Sequence, residues 1–268
     1  MLHFFRDNRK KLAAENRFSR YLFYVIGEIF IVIIGILLAL QVDNWNTQRA
    51  EREEGRVFME RLKNEFLDNR AQMVQKIEMR SRALASAREL MRFIDGETGE
   101  MPASRVDSLL AIALPVYTFD PSLGVLNQLT STDKLTLIRN ESLNDKLSIW
   151  NAMIEDFKED EDMYNSFNHN QFRPFLYKNY NGRNIINTRI QNRVINPILL
   201  ASPKIVNEEI GFSPHAVSPE VLRGSMEFES YLAFIISWLS LINTQSQGIL
   251  DHIDSVIAII DQEVSIGA

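Results

Sequence analysis

The stretch "YLFYVIGEIFIVIIGILLALQV", Tyr21 to Val42, runs for 22 residues with one charged side chain, Glu28. A transmembrane helix needs about 20 mostly apolar residues, each advancing about 1.5 Å, to cross the hydrocarbon core of a bilayer. This run meets that length. Tyr21 and Tyr24 at one end and Trp45 at the other stand where amphipathic rings form interfacial belts. Past Leu40 the chain turns polar at once, with Gln41, Asp43, Asn44 and Asn46. Two other readings compete. A cleaved signal peptide would need Met1 to Arg20 as its basic region and an apolar core beyond the usual length of about 7–15 residues; "LLALQVDNW" also lacks a small-x-small cleavage site. A buried helix of a soluble core is the other alternative. Length and belts favour an uncleaved signal anchor.

Orientation follows the basic flanks. Arg6, Arg9, Lys10, Lys11, Arg17 and Arg20 precede the run; Arg49, Arg52, Arg56 and Arg61 come after it. This asymmetry predicts a cytoplasmic N-terminal segment over 1–20, a span over 21–42 and an exported body over 43–268. The basic segment also carries Phe4, Phe5 and Leu12, so it reads either as a plain positive flank or as a short amphipathic helix on an anionic leaflet.

The basic head with "FFR", followed by "IGEI" and "IVIIGILLALQVDNWN", resembles the signature of a family of small single-pass bacterial membrane proteins of unknown function. Gly27, Glu28, Gly35, Ala39, Gln41, Asn44, Trp45 and Asn46 carry the likeness. Thr118 to Leu147, "TFDPSLGVLNQLTSTDKLTLIRNESLNDKL", is similar to that family's central region, with Asp133 where the family pattern has Gly. The resemblance implies the cytoplasmic membrane of a bacterium and no known activity.

The body reads as all-α, an antiparallel bundle of long helices. Glycine (11) and proline (8) are scarce for 268 residues, which leaves few breakers between elements. From Asn44 to Ile94 no proline intervenes, and Phe58, Leu62, Phe66, Met73, Ile77, Leu84, Leu90, Met91 and Ile94 recur at helical spacing. Gly55 is the expected site of a kink. "DGETGEMP" ends this helix. Ser104 with Asp107 has the form of a capping box, opening a helix to about Ala113. Pro121 is expected to open a short helix through Leu129. "LTLI" reads as the approach to the next helix, which Asn140 caps and which runs to about Phe167, with Leu143, Leu147, Trp150, Ile154 and Phe157 on one face. Residues 172–214, rich in Asn, Arg and Pro, read as an irregular insertion, a long loop with short helices. Ser218, Pro219 and Glu220 predict the start of the last helix. There Leu232, Ile235, Leu239, Ile242, Ser246, Ile249, Ile253, Val256 and Ile260 alternate steps of 3 and 4, the seam of a coiled coil that asks for the Phe58–Ile94 stripe as partner. "YLAFIISWLSLI" within it is too short for a second span and is expected in the core.

The motifs of common chemistry are absent: no GxSxG, no P-loop, no GxGxxG and no HExxH. Cysteine is absent too, so neither a disulfide framework nor a thiolate site is available. A net charge of −6 argues against nucleic acid as partner. The acidic run Glu155, Asp156, Glu159, Asp160, Glu161 and Asp162 reads as a solvated helix face rather than a calcium cage. His252 reads as a flank of the seam, and His169 in "NHNQFRPF" as a weak polar-aromatic cluster. Arg173, Lys178, Arg183, Arg189 and Arg193 interleave with Phe172, Phe175, Tyr177 and Tyr180, either as an anion-binding patch or as a loop whose rings pack inward. No catalytic, cofactor or metal residues are therefore assigned. A membrane-anchored hydrolase using Glu159, Asp160 or His169 is the remote alternative.

Glu28, Val32, Gly35 and Ala39 fall along one helix face, where Gly35 and Ala39 form a small-xxx-small pair. Glu28, about 10 Å along the axis from Tyr21, would be satisfied there by interfacial water, a second copy or another membrane protein. The expected function is a non-enzymatic interaction or oligomerisation module whose partners are the lipid bilayer and itself or another membrane protein. A sensory or ligand-binding bundle is the runner-up.

Overall fold

The computed structural model describes residues 18–132, 134–191, 208–215 and 217–266. Most of the basic segment 1–20, Asp133, Arg193, Pro197 and Pro203 lie outside the described residues, as does the side chain of Tyr21. Every regular element among the described residues is helical. The elements are α1 (Phe18–Ile94), α2 (Ala103–Ala113), α3 (Gly124–Ser131), a 3-10 turn (Lys134–Leu137), α4 (Glu141–Phe167), a π turn (Asn168–Phe172), α5 (Arg173–Asn179), α6 (Gly182–Gln191), α7 (Glu220–Arg223) and α8 (Met226–Ile266). The chain divides into two units, Met1–Val57 and Phe58–Ala268, and α1 contributes to both.

α1 extends for 77 residues because nothing interrupts it; it passes through Gly55 as unbroken helix. It stops where the chain enters the left-handed region at Gly96 (φ 79°), a conformation that costs a residue with a Cβ. The Glu97 N–H donates to the Arg92 carbonyl (3.0 Å) and the Gly96 N–H to that of Phe93 (3.2 Å). These two bonds are a Schellman cap, which satisfies carbonyls left over at the helix end.

In the first unit, the apolar side chains from Ile29 to Val42 are all exposed. Among the described residues, α1 is the one helix long and apolar enough to cross a membrane.

In the second unit, the predicted stripe of α1 turns inward. Phe58, Leu62, Phe66, Met73, Leu84 and Leu90 are buried, and Ile77, Met91 and Ile94 pack at the edge. All nine seam residues of α8 are buried. Each such aliphatic contributes roughly 1.5–3 kcal/mol when fully withdrawn from water. The polar pairs between the two helices fall in opposite order along them: Lys63 with Asp261 (2.5 Å), Arg70 with Asp254 (2.5 Å), Ser81 with Asn243 (3.2 Å). α4 meets α8 the same way, Asn140 bonding Glu263 (2.7 Å) and Gln245 bonding Asp160 (2.6 Å). The face of α4 read from sequence is buried entire, with Trp150 ringed by Phe66 (centroids 5.1 Å) and a stacked His252 (5.6 Å). Asn140 caps α4 as expected, accepting from the Leu143 N–H at 2.9 Å.

Four expectations change. Ser104 does not cap α2; Pro102 occupies that position without a side-chain bond, and Asp107 is buried instead. α3 begins at Gly124, three residues after Pro121, because a carboxylate from α1 caps it. "LTLI" is largely a 3-10 turn. The last helix is two: α7 closes at Gly224, and Ser225 opens α8, its Oγ accepting from the Phe228 N–H at 3.2 Å.

The irregular segment is helical as far as Gln191. α4 widens into the π turn and continues as α5. In an ideal α-helix Phe167 and Phe172 would point about 140° apart. The i→i+5 turn brings them into line, and their rings stack at 6.3 Å. Pro174, which cannot donate to a carbonyl one turn back, directly follows the widening. Asn168 anchors the turn: its Nδ2 donates to the Leu114 carbonyl (3.0 Å) and its Oδ1 accepts from Arg173 Nε (2.7 Å).

Candidate functional site

Residues 117–123 belong to no regular element, and among the described residues no strand lies beside them. Their backbone groups need partners where they are buried, and α1 supplies side chains in place of a strand. Glu65, Asn69, Gln72 and Arg80 share one helix face. Gln72 Nε2 donates to the Asp120 carbonyl (3.0 Å) while its Oε1 accepts from the Asp120 N–H (2.7 Å). Asn69 does the same for Ser122, at 2.9 and 2.7 Å. Two residues apart is the repeat of an extended chain, so alternate residues present their backbone to α1. Each carboxamide makes the two bonds a neighbouring strand would make.

Glu65 completes the row. Its carboxylate accepts from Ser122 Oγ (3.1 Å), the Val125 N–H (2.8 Å) and the Leu126 N–H (3.3 Å). Those N–H groups belong to the first turn of α3, where a negative charge is favoured. At the other end of the segment, Arg80 and Glu161 meet at 2.5 Å, each 2% exposed in its side chain. Glu161 also accepts from the Phe119 N–H (2.9 Å), and Arg80 donates to the Tyr117 carbonyl (3.3 Å) and to Ser246 Oγ (2.8 Å). The pair therefore joins α1, the 117–123 segment, α4 and α8. Burial is the largest influence on Glu161 and pushes its carboxyl up to about 7, against the pull of Arg80 and the Phe119 N–H. Glu161 is the residue sequence reasoning missed, having read it with the solvated acidic run.

α6 and Asn181, which precedes it, repeat the device on residues 210–215. Asn181 Nδ2 donates to the His215 carbonyl (2.9 Å). Asn184 accepts from the Ser213 N–H (2.8 Å), and Asn187 from that of Gly211 (3.0 Å). Arg183 donates to the carbonyls of Gly211 (2.9 Å) and Ile210 (2.7 Å). The Asn-rich composition is thus a row of backbone clamps, and Arg183 is committed to it. Phe172, Phe175 and Tyr180 are buried, while Tyr177 is exposed, so most of the rings of the basic-aromatic patch pack inward.

Of the residues singled out on the apolar helix, Val32, Gly35 and Ala39 are exposed and Glu28 is half-buried. A Cβ built on Gly35 meets nothing within 4 Å. Tyr24 is half-buried; Trp45 is exposed, with the Arg49 guanidinium 5.9 Å from its ring.

Beside the π turn lies an open cleft of about 570 Å³. α4 lines it with Met163, Ser166 and Phe167, the π turn with Gln171, and α8 with Ser230, Tyr231 and Phe234. Phe167 and Phe234 lie 4.2 Å apart, and Phe234 stacks on Trp238 at 5.1 Å. Tyr231 donates its hydroxyl to Glu227 (2.7 Å). The rest of the acidic run stays largely at the surface, apart from half-buried Asp160, which accepts from Gln245. Among the described residues no group of three or more His, Asp and Glu side chains is placed to hold a metal. His252 is buried against Trp150, its Nε2 3.2 Å from the Lys146 carbonyl, and burial lowers its pKa. His169 is exposed.

Residues 28–158 match the model of a family of unknown function (DUF6090). The match starts at Glu28 and ends within α4, so it takes in the apolar run from Glu28 onward, Arg80 and the clasped segment. No curated protein and no solved structure matches the chain.

Proposed function

We propose that this chain is a single-pass protein of a bacterial cytoplasmic membrane, held by residues 21–42 with residues 1–20 in the cytoplasm and the body exported. The body, an antiparallel bundle, works by binding protein rather than by catalysis. The observation that carries this reading is the contrast between the two units. The second withdraws its seam residues from water, whereas the first leaves Ile29 to Val42 exposed on every side of the helix. Only a lipid phase or a second helix makes that exposure favourable.

The absence of native cysteine gives a clean test of topology. Asp162→Cys, at an exposed position of α4, will react with a membrane-impermeant maleimide added to spheroplasts. Labelling that needs lysis would place the body in the cytoplasm and end the topological part of the proposal.

Pairing through Glu28, Val32, Gly35 and Ala39 is the interaction proposed within the bilayer. Small-xxx-small faces let backbones approach closely, and a polar side chain that hydrogen-bonds across such a contact contributes about 1–2 kcal/mol in model peptides. Gly35→Leu will therefore reduce cross-linked dimer in membranes about tenfold, while Glu28→Gln, which keeps a neutral hydrogen-bonding side chain, will retain it. Equal cross-linking in wild type and Gly35→Leu would remove this face from the account. A second reading, a ligand-binding bundle, is favoured by the cleft beside the π turn.

A further inference from the structure

The cleft combines three features that converge on one ligand chemistry. Its floor is aromatic: Phe167, Tyr231 and Phe234 present π systems, whose faces carry negative potential and attract cations. Its edge is acidic. Glu227 is held there by the 2.7 Å bond from the Tyr231 hydroxyl, so the carboxylate sits beside a lining ring. Asp162 stands one helical turn before Ser166, and Glu159 one turn before Met163, which puts both on the side of α4 that borders the cleft. None of the lining residues is Lys or Arg. The nearby Arg173 directs its guanidinium elsewhere, to Asn168 Oδ1 (2.7 Å). An anion would meet these carboxylates with no Lys or Arg in the lining.

The size is that of a small-molecule site, for which pockets run from about 300 to about 1,000 Å³. It exceeds what one Lys or Arg side chain from a partner would fill. Met163, exposed beside the rings, adds a flexible thioether that adapts to apolar shapes of different outline. The floor is rigid by contrast, since Phe167 is fixed by the stacked Phe172 and Phe234 by Trp238.

We propose that this cleft binds a small organic cation, an ammonium carried on an apolar or aromatic body, with the rings taking the body and Glu227 facing the charge.

The test uses the full chain in lipid nanodiscs and two probes of equal shape, phenethylamine and 2-phenylethanol, titrated by calorimetry. Wild type will bind the amine about tenfold more tightly than the alcohol, the margin expected when a cation meets aromatic faces and a carboxylate together. Glu227→Gln will bring the two affinities together without loss of alcohol binding. Ser230→Phe and, separately, Gln171→Phe fill the cleft from opposite sides at exposed or edge positions, and each will abolish binding of both probes at an unchanged thermal midpoint. Equal affinity for the two probes in wild type would overturn the cation assignment. Failure of both probes to bind, or amine binding that survives both filling variants, would overturn the site itself.

Discussion

Arg80→Met will destabilise the second unit by about 3–5 kcal/mol, the cost of leaving one member of a buried ion pair uncompensated. Three partners are orphaned together. Glu161 loses the guanidinium at 2.5 Å, Ser246 Oγ loses its donor and so does the Tyr117 carbonyl. Arg80→Met with Glu161→Leu will recover part of that loss: two apolar side chains of similar volume avoid the desolvation that both charges require, while the Phe119 N–H and the Tyr117 carbonyl stay without their partners. Urea unfolding of the full chain, followed by far-ultraviolet circular dichroism, measures both.

The pH dependence has a defined sign. Glu161 has an ordinary carboxyl value of 4.5 when unfolded and about 7 when folded. Below 4.5 both states are protonated. Between 4.5 and about 7 the folded state keeps a proton that the unfolded state releases, so stability falls as pH rises through this window. The double variant lacks the group and will lack that slope. The cost of Arg80→Met alone will be smaller at the acid end, where Glu161 is neutral. A single variant within about 1 kcal/mol of wild type would mean that water reaches the pair and that its burial has been misread.

What the sequence disclosed and what it concealed divide along physical lines. The seam of α8 was legible because nine residues at alternating steps of 3 and 4 leave no other face to bury, and Asn140 because a cap acts on its own helix three residues on. Glu161 was hidden by its neighbours. It follows Glu159 and Asp160 in a pattern that reads the same on a wet helix, and its partner lies 81 residues earlier in the chain. Asn181, Asn184 and Asn187 were read as loop formers because Asn side chains compete with helical backbone bonds. Here they bond the backbone of another segment, a use that composition cannot distinguish. The break at Gly224 was missed because Pro219 is a valid helix start; the helix it opens lasts a single turn, and Ser225 has to start again. The π turn left a single trace in the sequence, Pro174.

Asn69→Leu will cost about 1–3 kcal/mol, since the two part-buried backbone groups of Ser122 lose their partners at once. Asn69 is 2% exposed and bonds both the N–H and the carbonyl of Ser122. Leu branches at the same carbon with the same number of heavy atoms and is larger, so no cavity opens. The contrast with Asn187→Leu separates the carboxamide mechanism from generic burial. Asn187 is fully buried but bonds only the Gly211 N–H, so one orphaned group predicts about half the effect. Asn69→Asp lies between them: its carboxylate still accepts from the Ser122 N–H but meets the Ser122 carbonyl with no donor. Amide exchange locates the change. In Asn69→Leu the Ser122 amide will exchange faster by a larger factor than the seam amides of α8, because its only acceptor among the described residues is gone and the 117–123 segment is released before the helices part. Unchanged protection at Ser122 would show that the segment is held by its side chains, Phe119 above all, and that the row on α1 adapts to its conformation without enforcing it.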